Sequence, residues 1–129
     1  MYKLFKMTIL FGIIISLLLG CSSKPSEVRE EVWEISNQTF DVLTEDMSNG
    51  DLLREYEYDI FEKVYNKYIE SDEVVTEKEY EILKSIQTLV YHNHHTVSAN
   101  LQNDTNKMIY HAEQYANTVS EVKLLLNRD

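Results

Sequence analysis

The chain has 129 residues and a formal net charge of −10, with three Gly, one Pro and one Cys. That length is one small domain and excludes a multidomain enzyme. The single cysteine excludes an intramolecular disulfide framework, and so few Gly and Pro exclude phosphate-cradling glycine loops and turn-dense β folds. The acidic balance repels polyanions, so no nucleic-acid partner is expected.

Residues 1–20 stand apart. Lys3 and Lys6 precede the run TILFGIIISLLL, from Thr8 to Leu19. About 20 apolar residues are needed to span a bilayer as a helix, so this run is short for a permanent span and reads as a secretory signal peptide. It ends in Leu18-Leu19-Gly20-Cys21. Those four residues resemble the lipobox of bacterial lipoproteins, with Leu18 at the apolar position and Gly20 at the small position. Leu19 is less typical of its position than Ala or Ser. The resemblance implies diacylglyceryl transfer to the Cys21 thiol and cleavage before it. It also implies a protein held by lipid on the extracytoplasmic face of a bacterial membrane. Each buried CH₂ is worth about 0.8 kcal/mol, so two acyl chains anchor stably where one is marginal. Residues 21–26 make a short polar tether, and residues 27–129 form the domain. Residues 21–129 carry 10 basic and 22 acidic side chains.

The domain reads as all-α. In the first segment Val28, Val32, Ile35, Thr39 and Val42 recur at helical spacing, and Trp33, Phe40, Leu43 and Met47 widen the stripe. Ser26 is expected to cap it, and Ser48-Asn49-Gly50-Asp51 to stop it. The second segment, 52–70, shows one face of Leu53, Tyr56, Ile60, Val64 and Tyr68, with Phe61 beside it. Tyr58, Tyr65 and Ile69 make a second stripe, expected to be either core or a partner surface. After the link Ser71–Val75, Thr76-Glu77-Lys78-Glu79 spells a capping box, flanked by Val75 and Tyr80 as a staple. The third segment runs through Leu83, Ile86, Val90, His94, Val97 and Leu101. The fourth runs through Met108, Ala112, Tyr115, Val119, Val122 and Leu126. A hairpin at Gln102-Asn103-Asp104 gives an antiparallel four-helix bundle. Without it, residues 77–127 form one long helix and the bundle has three.

The 27–81 stretch holds 18 acidic and 5 basic residues, whereas 82–129 balances at 4 and 4. All four histidines, His92, His94, His95 and His111, lie in the balanced half. His94 falls within the expected core stripe and His92 nearly opposite. His94 and His111 are therefore the weak candidates for a metal pair, and His92 and His95 are expected at the surface. The carboxylate pairs lie on polar helix faces, the Glu-x-x-His pattern of di-iron bundles is absent, and no nucleophile motif appears. No cofactor and no enzymatic activity are expected. The expected function is a lipid-anchored interaction protein of the cell envelope, of a regulatory or exclusion/immunity type, with an envelope protein as partner. The alternative is a metal- or ligand-binding lipoprotein using His94 and His111.

Overall fold

The computed structural model describes residues 23–49 and 55–129. The leader, Cys21, the Gly50-Asp51 stop and Leu53 lie outside the described residues, as does the side chain of Tyr56. Helix α1 spans Glu30–Asn49, α2 spans Glu55–Tyr65 and runs on into a π-helical turn Asn66–Glu70, α3 spans Glu77–Leu101 and α4 spans Thr105–Leu125. The fold is all-α, and the hairpin reading holds over the single long helix.

The ends of these helices follow local chemistry. The Thr76 side chain accepts from the Glu79 N–H at 3.1 Å, and the Glu79 carboxylate accepts from the Thr76 N–H at 3.0 Å. This is the expected capping box. Helix α3 stops with Asn103 at φ 57°. The Asp104 N–H then reaches the Ala99 carbonyl at 2.9 Å, and the Asn103 N–H reaches that of Asn100 at 3.1 Å. That pattern is a Schellman closure with Asn in the left-handed position usually taken by Gly. Asp104 accepts from the Lys107 N–H at 3.1 Å and so caps α4. A second closure of the same kind ends α4 at Asn127, φ 53°. Ser26 does not cap α1. It sits in a turn in which the Pro25 carbonyl accepts from the Val28 N–H, and α1 begins after Arg29.

Pairings between helices set the topology. Arg29 meets Glu79, and Met47 lies against Asn93, so α1 and α3 run parallel. Glu31 meets Lys67 and Tyr68, so α2 runs back along α1. Helix α4 returns along α3. The core gathers Val32, Trp33, Phe40 and Leu43 of α1, Phe61, Val64, Tyr65 and Tyr68 of α2 and its π turn, Ile82, Leu83, Ile86 and Leu89 of α3, and Tyr115 and Val122 of α4. Leu126, just beyond α4, joins them.

Ser23, the first described residue, meets the end of the chain at one pole. Asn127 donates from Nδ2 to the Ser23 carbonyl at 2.8 Å. Arg128 lies over the Phe40 ring, donates to Asn37 and pairs in two-pronged fashion with Asp41. The starts of α1 and α3 share that pole, and the α3–α4 turn lies at the other. Among the described residues no helix is long and apolar enough to cross a membrane.

Candidate functional site

Helix α3 is buried on two faces. Toward α1 and α2 it presents Ile82, Leu83, Ile86, Leu89 and Asn93. At 100° per residue, His92, His95 and Ala99 lie on another side, and that side meets α4. The single core stripe expected from the sequence therefore misplaced the histidines. His94 is exposed, whereas His92, His95 and His111 are half-buried. The expected His94–His111 pair is not what the fold brings together: His92 Nδ1 lies 3.0 Å from His111 Nδ1.

Around that pair the rings form a cluster. The His95 ring stacks on His111 with centroids 4.9 Å apart and planes 22° apart. Tyr91 presses on His95 at 4.2 Å and stands edge-on to His92 at 5.1 Å. Tyr110 stands edge-on to His111 at 5.1 Å. Aromatic rings from both helices thus surround the imidazoles. Partial burial, with His111 and His95 nearby, holds His92 below the ordinary histidine pKa. Burial likewise lowers His95, helped by His111, His94 and Lys107. At neutral pH these two rings are uncharged. In the 3.0 Å contact one Nδ1–H donates to the other ring's lone pair.

Two clefts flank the cluster. One of ≈ 230 Å³, between α2 and α3, is lined by Tyr58, Gln87, Val90, Tyr91, Asn93, His94 and His95. The other, of ≈ 240 Å³, is lined by His95, Ser98, Ala99, Gln102, Lys107 and His111. The Lys107 ammonium lies 3.7 Å from Asp104. Among the described residues no group of three or more His, Cys, Asp or Glu side chains is placed to hold a metal ion.

Of the two readings of the second stripe on α2, the core reading holds for Tyr65 and Ile69. Tyr65 is buried, and its hydroxyl accepts from Lys84 Nζ at 2.9 Å. Ile69 packs against the core and Tyr58 is half-buried, whereas Ile60, expected in the core, is 59% exposed. The buried face, Phe61, Val64, Tyr65 and Tyr68, runs between the two stripes read from the sequence. Val64 and Tyr68 of the first stripe and Tyr65 of the second thus share the buried face, while Ile60 turns to solvent.

Sequence reasoning did not find the Glu31 site. Lys67 donates to Glu31 Oε2 at 2.8 Å, and the Tyr68 hydroxyl donates to the same oxygen. The π turn narrows the angle between neighbouring side chains, letting residues 67 and 68 converge on one carboxylate. The Arg29 guanidinium lies 4.8 Å from the Tyr68 ring centre. No pattern in the sequence marks a π turn. The His92–His111 contact had a signal: His92, His95 and Ala99 share one face, and a hairpin centred near 103 sets His111 level with His95.

The chain matches no protein-family model, no curated protein and no solved structure.

Proposed function

We propose that the chain is a small lipid-anchored protein of the bacterial cell envelope. Its helical domain acts by binding a protein partner, not by catalysis. The observation that carries this reading is Leu18-Leu19-Gly20-Cys21 behind a charged, apolar leader. The fold adds a spatial argument. Ser23 is already hydrogen-bonded to Asn127, and two residues reach at most about 7 Å. A lipid on Cys21 would hold the pole containing the start of α1 and the end of α4 close to the bilayer. The α3–α4 turn, with exposed Leu101, Ile109 and Tyr110, would then face away from it, toward other envelope proteins. Replacing Cys21 by Ser tests the reading. Acyl labelling is expected to disappear and the leader to stay attached; unchanged labelling would overturn it. Membrane association alone decides nothing, because an uncleaved leader also holds the chain.

A further inference from the structure

The two facing imidazoles of His92 and His111 are held by different helices at a spacing that suits a metal ion as well as a shared proton. We propose that they form a cation site for a late first-row divalent ion, Cu²⁺ or Ni²⁺ in preference to Zn²⁺, which staples α3 to α4. The two nitrogens are 3.0 Å apart. Two ligands about 2.1 Å from an ion and about 90° apart are separated by roughly 3.0 Å; at the tetrahedral angle the separation is roughly 3.3–3.4 Å. The hydrogen-bonded span lies within about 0.4 Å of either geometry, so the order among the ions rests on the imidazole donors. Imidazole nitrogens suit Cu²⁺ and Ni²⁺, and Cu²⁺ stands highest among divalent ions for such donors.

The surroundings agree with this chemistry. Both rings are half-buried, so the pair lies at the edge of the packed domain. Tyr91, His95 and Tyr110 pack around the two rings through the contacts described above. His95 lies nearly parallel to His111, so it supports the site and is not a third ligand. The charge of Lys107, the cation beside His95, is met by Asp104. Binding requires the ion to displace the shared proton and each ring to turn its lone pair off the Nδ1–Nδ1 line. The site is thus an open, two-nitrogen clamp, and it does not depend on whether Cys21 carries lipid.

The test uses the full-length chain in detergent, without a histidine tag. Cu²⁺, Ni²⁺ and Zn²⁺ are titrated separately while thermal stability is followed, and the Cu²⁺ complex is examined by electron paramagnetic resonance. The expected result is one saturable Cu²⁺ per chain, coupling to two imidazole nitrogens, a raised Tm and the order Cu²⁺ above Ni²⁺ above Zn²⁺. Loss of an outer-shell partner alone weakens metal sites by roughly 10–100-fold, so His92→Gln and His111→Gln are each expected to weaken Cu²⁺ at least that much. His94→Gln should leave binding intact. The metal-free Tm of each variant separates lost binding from lost folding; if a Gln variant is unfolded, the two-nitrogen signature of the intact protein still decides. No saturable Cu²⁺, a signature without two nitrogens, Cu²⁺ binding as tight as wild type by folded His92→Gln or His111→Gln, or Zn²⁺ as the tightest ion would overturn the proposal.

Discussion

Glu79 is fully buried and closes two helix starts at once. One oxygen accepts from the Arg29 N–H at 2.8 Å, the other from the Thr76 N–H at 3.0 Å, and the Arg29 guanidinium stands 3.6 Å away. Negative charge at both helix N-termini is favourable. Truncation leaves two N–H groups without their acceptor and Arg29 without its counter-charge. Glu79→Ala is expected to cost about 2–4 kcal/mol in urea unfolding, and Glu79→Gln less, because an acceptor remains. Glu31 gives the pH dependence. Its hydrogen bond to Lys67, and then that to Tyr68, hold its carboxyl below the ordinary 4.5. A depressed carboxyl stabilises the fold fully above its unfolded pKa, and that contribution is lost as pH falls through the folded one. Between about pH 5.5 and about pH 3.5 the wild type is expected to lose more Tm than Glu31→Gln; an equal loss would show that the contact carries no linkage.

At the scale of elements, most of what could be read from the sequence depends on neighbours along the chain, the Ser26 cap excepted. The Thr76 capping box, the hairpin at residues 102–104 and the α4 stripe through Tyr115, Val122 and Leu126 all rest on local chemistry. The buried faces of α2 and α3 do not. A helix flanked on two sides buries residues at more than one angle, and the apolar period alone does not say where each neighbour sits. That is why the period alone puts Ile60 inside, leaves Tyr65 open between core and a partner surface, and sets His94 opposite His111. The corrected α2 face makes a sharp prediction. Phe61→Ala is expected to cost about 3–5 kcal/mol, and Ile60→Ala about 0.5 kcal/mol. Comparable losses from the two adjacent substitutions would mean that α2 is turned differently against the core.

At the scale of the whole molecule, the poles give the domain a direction. Helix α3 has 25 residues and spans about 37 Å at 1.5 Å per residue. With a lipid on Cys21, the α3–α4 turn stands far from the bilayer, while Ser23 and the end of α4 lie beside it. Fluorophores placed in turn at Asn103 and at Asp129 on the anchored protein are expected to separate clearly: lipid-borne quenchers reach the second and not the first. Equal quenching would mean that the domain lies along the membrane. The direction of the domain relative to the bilayer rests on Cys21. The most direct measurement is the intact mass of the N-terminal peptide of the mature protein isolated from bacterial membranes. The account predicts a chain that begins at Cys21 and carries a diacylglyceryl group on its thiol. A chain that still begins at Met1, or an unmodified Cys21, would contradict it.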